Sequence, residues 1–372
     1  MLTGPGHSRQ RRAVSSAGSS TLAATARRRL NETPNMGATI PVGAGRGNAC
    51  RCGRLQRVNR LSAARILSAM ISSHVDVQVD LDRVRANAER IRANTRVPLI
   101  AVIKADAYGL GAHRVADALA AVVDDFAYFS IEEARRIRRP GLVLGPVSGS
   151  RDAHAELRLR AAIGDRDAAE TFRGAPAAVS VDTGMQRFGC EPEHAEALAR
   201  RCGTQELFTH ARGVASARTL RAIGYGERIH AAASSLLDCE EARLDAVRPG
   251  VALYRGALRV TTRLVAVRET RGPAGYTGFT CPRVGVILAG YAQRLAPAPV
   301  VVSGAPQRIV EVGMNTAFVS APPEARVGDP VTLLGDGLDE EAVAAALAVR
   351  PHEVLCRYGM MGARRYLSGD RH

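Results

Sequence analysis

From Val75 to about residue 262 the chain repeats one phrase: a short apolar run, a break rich in glycine or polar residues, then a stretch with apolar positions three and four apart. The runs at Val75 to Asp80, Leu99 to Ile103, Phe126 to Ser130, Gly141 to Gly145, Leu159 to Ile163, Ala177 to Val181, Leu207 to His210 and Ile229 to Ala233 read as strands. Between them Leu81, Val84, Ala88 and Ile91 share one helical face, and Val115, Leu119 and Val122 another. Ser130-Ile-Glu-Glu133 is a capping box that opens a helix, which Pro140 stops, and Pro192 to Cys202 is amphipathic. Strand and helix alternating about eight times imply parallel strands with helical crossovers, which close into a (β/α)8 barrel of the TIM type. Functional groups of such a barrel sit at the C-terminal ends of its strands, where Lys104, Arg187, His210, Ser234 and Arg248 fall.

After about Thr261 the pattern changes to short β segments separated by Gly and Pro turns: Arg263 to Val267, Val284 to Leu288, Val300 to Val302, Arg308 to Val312 and Pro330 to Leu334. One late helix is expected over Asp339 to Val349. The expected organisation is an extension over 1–70, a barrel over 71–262 and an all-β domain over 263–372.

The net charge of +15 invites a nucleic-acid reading until its position is considered. Residues 1–69 hold twelve arginines against Glu32 alone, or +11, which leaves +4 for the rest of the chain. That segment is rich in Ser, Gly, Ala and Arg without apolar periodicity, so it cannot bury enough surface to offset its ordering entropy and is expected to be disordered. Arg11-Arg12 would suit a targeting signal, but no apolar h-region follows; the functional start is expected at Met70, and nucleic acid is not an expected partner. No apolar run approaches the roughly 18 residues of a membrane span. Seven cysteines at irregular spacing read as free thiols of a cytoplasmic protein, and no metal set emerges from them.

Within Pro98 to Gly111, PLIAVIKADAYGLG, a buried strand delivers Lys104 to its end. Two readings fit. The ammonium can snorkel to water; or it is held out of water, its pKa falls, and the amine becomes the nucleophile that a Schiff base to a carbonyl cofactor needs.

The motif Lys104-Ala-Asp-Ala-Tyr-Gly-Leu-Gly111 resembles the pyridoxal-phosphate (PLP) lysine motif of alanine racemases, the fold-type III PLP enzymes. Further motifs resemble that family in order: Val181-Asp-Thr-Gly-Met-Gln-Arg-Phe-Gly189, Phe208-Thr-His210, Val247-Arg-Pro-Gly-Val-Ala-Leu-Tyr254, Gly275-Tyr-Thr-Gly278, Gly290-Tyr-Ala292 and Val312-Gly-Met-Asn315. The resemblance implies PLP as cofactor and a small amino acid, alanine first, as substrate. It implies that Lys104 and Tyr276 are the two bases, that Arg187 lies beside the cofactor ring oxygen and the substrate carboxylate, and that Met314 lies on the substrate side. By the same resemblance His210 bridges the cofactor-site arginine and the tyrosine, Arg248 faces the pyridine nitrogen, and the Gly250 and Val251 amides hold the phosphate. Tyr108 and Ser234 are candidate phosphate donors. In the family the tyrosine comes from a partner subunit, which implies a homodimer with shared active sites.

Four positions depart from the family's pattern. Ser180 stands where a lysine, often carbamylated, is usual; Ala233 replaces Asn, Asn315 replaces Asp, and Met360 replaces a pocket-narrowing tyrosine. They imply a divergent racemase with a wider substrate range. The alternatives are a PLP-binding protein with impaired turnover and a fold-type III decarboxylase or lyase. No HxxGSGG phosphate loop of the decarboxylases is found.

Overall fold

The computed structural model describes residues 74–368, so the extension expected over 1–70, with Cys50 and Cys52, lies outside the described residues. Strand β1 (Asp76–Asp80) leads into a helix, Leu81–Thr95, whose first turn is capped by the Asp80 carboxylate accepting from the Arg83 amide. That helix buries Leu81, Val84, Ala88 and Ile91, the face read from the sequence.

Seven parallel strands follow, each hydrogen-bonded to the next in chain order: β2 (Ile100–Val102), β3 (Asp125–Tyr128), β4 (Gly141–Val143), β5 (Leu159–Ile163), β6 (Ala177–Ser180), β7 (Glu206–Phe208) and β8 (Arg228–His230). The sheet is closed by a segment too short to read as a strand. Ala246 bridges to His230 and Val247 to Leu99, both parallel, and the Ile100 amide donates to the Val247 carbonyl at 2.9 Å. Barrel closure therefore uses Ala246–Val247 as the eighth strand. The expected first strand, Val75 to Asp80, joins the other sheet, where β1 pairs with β9 (Leu258–Glu269) and β15 (Arg364–Leu367). The physical reason lies in burial: β1 alternates between buried and half-buried positions, whereas β2, β4 and β7 are buried at every residue, as strands covered on both faces must be.

Period-2 alternation fills the barrel in layers. Ala127, Ala162, Ala178 and Phe208 pack together with Ile100, Val102, Leu142 and Ala246. Two residues earlier on their strands, Asp125, Arg160 and Glu206 form a charged layer toward the N-terminal end.

The second sheet is ordered β10-β13-β12-β11-β14-β9-β1-β15, with a further pairing between β10 and β9. Its other strands are β10 (Arg283–Ile287), β11 (Pro299–Val302), β12 (Ala305–Val312), β13 (Ala317–Ser320) and β14 (Pro330–Leu334). The first half of β9 pairs with β1 and β14 and its second half with β10. The boundary expected at 262/263 thus falls inside β9, and the sheet draws on both ends of the described chain. Asp339 caps the expected late helix, observed at Glu340–Leu347, and a second helix, Pro351–Tyr358, follows it. No helix among the described residues is long and apolar enough to cross a membrane. Cys190, Cys202, Cys239, Cys281 and Cys356 are free thiols.

Candidate active site

Lys104 stands just past the end of β2, and the backbone after it does something unusual. Ala105, Asp106, Ala107 and Tyr108 have φ of 53°, 55°, 53° and 56°, one turn of left-handed helix closed by Ala107 N–H to Ile103 O and Gly109 N–H to Ala105 O, both 2.9 Å. This conformation costs roughly 1–2 kcal/mol per non-glycine residue, so it persists only where neighbours impose it. Glu133 is one such neighbour: its carboxylate accepts from Ala105 N–H at 2.8 Å and Phe129 N–H at 2.7 Å, tying the mouths of β2 and β3 together. Asp106 is another, accepting from Ala112 N–H and pairing with Arg364 of β15 at 2.7 Å. The Lys104 amine is held below its ordinary pKa, first by burial and then by the charges of Arg187 and Arg248, with Glu133 opposing.

The turn presents Tyr108 to a cradle. Its ring packs against Tyr254 with centroids 5.0 Å apart, and burial pushes its phenol up to about 12. A Cβ on Gly250 would lie 2.1 Å from the Tyr108 hydroxyl, so this close approach requires glycine. The Ser234 hydroxyl accepts from the Gly250 and Ala252 amides at 2.9 and 3.1 Å, at the start of the turn that Val251 opens. Two hydroxyls and the start of a helical turn, with its main-chain N–H groups gathered on Ser234, therefore converge, which is the donor chemistry of a phosphate site.

Arg248 enters the barrel from its closing segment and is fully buried. It donates to His230 Nδ1, to the His230 carbonyl and to the Thr209 carbonyl, with its guanidinium carbon 5.2 Å from the centroid of Phe208. His230 stacks on Phe208, and its Nε2 lies 2.9 Å from Glu206 Oε1. Glu206 forms an ion pair in turn with Arg160 at 2.8 Å. Burial, then Arg248, lowers His230 to about 3; the hydrogen bond from His230 and the charge of Arg160 outweigh the burial of Glu206 and hold its carboxyl at about 2. Burial brings Arg248 down to about 10, still a cation at neutral pH. His230 and Glu206 escaped the sequence reading.

Arg187 and His210 face the same mouth. His210 opens to solvent at the mouth, yet partial burial of its ring, then the charges of Arg248, Arg187 and Lys104, lower it to about 4, so the structure brings together all four charged or titratable residues expected at the strand ends. The histidine that hydrogen-bonds Arg248 is nevertheless His230. Arg187 ends a loop built on Asp182, whose carboxylate accepts from the Gly184 and Arg187 amides. Its guanidinium lies over Phe188 and, among the described residues, pairs with no carboxylate; Ser180 lines the 250 Å³ cavity beside it.

Tyr276 and Met314 are elsewhere. Tyr276 is 93% exposed at the tip of a hairpin that Ala274 and Phe279 close, and Met314, next in sequence to the Gly313 that the Tyr276 ring approaches, is 69% exposed. Among the described residues, no hydrogen bond or charge interaction links Tyr276 to Lys104.

A (β/α)8 barrel that aims a depressed lysine amine, a buried guanidinium and a phosphate cradle into one mouth, with a β domain attached, defines a PLP enzyme of the barrel class. A family model, "Alanine racemase, N-terminal domain", matches residues 79–217. The alanine racemase of Thioalkalivibrio sulfidiphilus is 34% identical over 349 residues, covering 76% of this chain and 96% of that one. The corresponding protein of Nitrosococcus oceani is 31% identical over 344 residues, 75% of this chain and 95% of that one. The crystal structure of biosynthetic alanine racemase from Pseudomonas aeruginosa superposes with a TM-score of 0.72 at 28% identity, covering 79% of this chain and 99% of that one. The chain belongs to the alanine racemase family, a family of PLP-dependent isomerases. The cradle that a Cβ at Gly250 would fill, with its hydroxyl and amide donors, fits the cofactor's phosphate, and the Lys104 amine fits its aldehyde.

Proposed function

We propose that this chain interconverts the L and D forms of a small amino acid, alanine first, by a two-base mechanism using Lys104 and Tyr276. The observation that carries this reading is Lys104 itself: it is the only lysine in the chain, amid an arginine-rich composition, and it stands at the mouth with its pKa drawn down. A lysine kept amid so many arginines offers what a guanidinium cannot, an amine that can give up its proton, and the lowered pKa of Lys104 favours that loss.

Bound PLP supplies an electron sink that acidifies the substrate Cα–H. Tyr108, Ser234 and the Gly250 and Val251 amides would hold its phosphate, the Gly250 N–H leaving the Ser234 hydroxyl to do so, and Arg248 would face its ring without surrendering a proton. Arg187 takes the substrate carboxylate. The Lys104 amine moves the Cα proton on one face. The Tyr276 hydroxyl serves the other, supplied by a second copy of the chain, because within one chain it points to solvent. Met314, on the same face of the β domain, borders the substrate in that arrangement.

The test is Cα-proton exchange in D₂O, followed by chiral chromatography, on PLP-loaded protein offered a panel of L-amino acids led by alanine and serine. Exchange with inversion is expected; a visible cofactor spectrum with no exchange on any amino acid overturns the reading. In Lys104→Ala the visible absorbance and the borohydride-trapped cofactor adduct should both vanish, and a surviving trapped adduct refutes the lysine assignment.

A further inference from the structure

Tyr276 is almost wholly exposed, so its own ring has little to hold it; its placement comes from the backbone. That backbone is gripped by one buried carboxylate. Glu311 accepts from Tyr276 N–H at 3.0 Å, from Thr277 N–H at 2.7 Å and from the Thr277 hydroxyl at 2.7 Å. Three further observations indicate that the grip is built. Gly275 (φ 67°) has no room for a side chain, because a Cβ there would lie 2.5 Å from Glu311 Oε1. β12 slips register between Ile309 and Glu311, where Ile309 faces Val319 and Glu311 faces Phe318, and such a bulge re-aims the side chain that follows it. Phe279 at the hairpin base packs on Phe318, centroids 5.2 Å apart, so the hairpin has a second anchor besides Glu311.

We propose that Glu311 is a positioning residue that holds the Tyr276 hairpin in one conformation, a step that rests on reading Tyr276 as a base. Glu311 touches no reacting atom. Its carboxylate saturates the amides that would otherwise turn to water, and so fixes where the phenol of a tip residue stands. The three donors and the lowered carboxyl pKa they produce keep the group ionised at neutral pH.

The test compares PLP-loaded wild type, Glu311→Gln and Glu311→Ala. Tyr276→Phe serves as the reference that identifies the enantiomer whose Cα proton depends on Tyr276. In Glu311→Ala, exchange of that enantiomer's proton should fall about 100-fold, as a misplacement of about 1 Å does, while exchange of the other enantiomer stays within about twofold. Glu311→Gln, which keeps one acceptor oxygen, should fall between. Equal loss on both enantiomers, or no loss on either, overturns the proposal. Amide hydrogen exchange at Tyr276 and Thr277 judges the clamp independently of turnover: it should quicken about 10-fold in Glu311→Ala, and unchanged protection overturns the clamp. If wild type exchanges no amino acid, the racemase reading fails while these amides still decide the clamp.

Discussion

His230 Nε2 lies 2.9 Å from Glu206 Oε1, which leaves Nδ1 bare toward the Arg248 guanidinium. The imidazole is therefore neutral with its proton on Nε2, and it joins a buried cation to a buried anion without carrying charge itself. Arg160 and Asp125 continue the column through the barrel. The guanidinium expected at the cofactor ring is held by a charge column rooted in the barrel floor.

This column makes the fold acid-sensitive. Unfolded His230 takes a proton below its ordinary value near 6.5, while the folded residue refuses it to about 3, so stability falls as pH drops below about 6.5, by roughly 1.4 kcal/mol per pH unit for one proton. Glu206, lowered to about 2, adds the same sign once pH drops below the ordinary carboxylate value of 4.5. Urea unfolding from pH 7 downward should show the loss beginning above the carboxylate range. Glu206→Ala should cost about 3–5 kcal/mol, because it leaves Arg160 short of a buried partner.

Gly250→Ala should close the phosphate cradle. The added methyl would meet the Tyr108 hydroxyl at 2.1 Å, and that phenol cannot retreat far with its ring packed on Tyr254. Overpacking of this kind costs about 1–3 kcal/mol. PLP titration by absorbance should show affinity falling about 10-fold or more, the equivalent of at least about 1.4 kcal/mol, and unchanged affinity would remove Gly250 from the cradle.

What was legible, and what was not, follows from how local each signal is. Lys104, Arg248 and the late helix at Glu340–Leu347 were readable because strand ends, caps and short motifs are written in neighbouring residues. The barrel's closure was not, since Ala246–Val247 offers two residues and no period; its strand character comes from bridges to Leu99 and His230 far away. β1 carried a usable signal that pointed elsewhere: Val75-Asp-Val-Gln-Val-Asp80 alternates, as a strand with one covered face does, whereas barrel strands such as Ile100–Val102 are apolar throughout. Glu206 and His230 carried no local signal, because their partners lie on other strands. Glu311 was hidden the same way, its meaning fixed by a register slip and a hairpin 35 residues away.

Ala105→Gly separates stability from function in the left-handed turn. Glycine relieves the conformational penalty at φ 53° and gives back part of it through a more flexible unfolded chain, for a net gain of about 1 kcal/mol. The same freedom loosens the peptide that follows Lys104. The urea midpoint should rise while turnover falls, and a simultaneous drop in both would show that the turn is not strained.

The exposure of Tyr276 makes the shared-site arrangement testable without a structure of the assembly. If each site takes Lys104 from one copy and Tyr276 from another, Lys104→Ala and Tyr276→Phe should both be inactive alone yet folded, since Tyr276 is exposed and Lys104 is only half-buried at the mouth. Mixed, unfolded together and refolded, the two variants form hybrids in which one of the two sites has both bases intact. With random pairing in a two-fold dimer, half the dimers are hybrid, so about a quarter of wild-type activity should return. Recovery on that scale assigns the two bases to different chains. No recovery, with size-exclusion chromatography showing dimers in the mixture, places both bases in one chain and requires the Tyr276 hairpin to fold back over its own barrel, against the grip of Glu311.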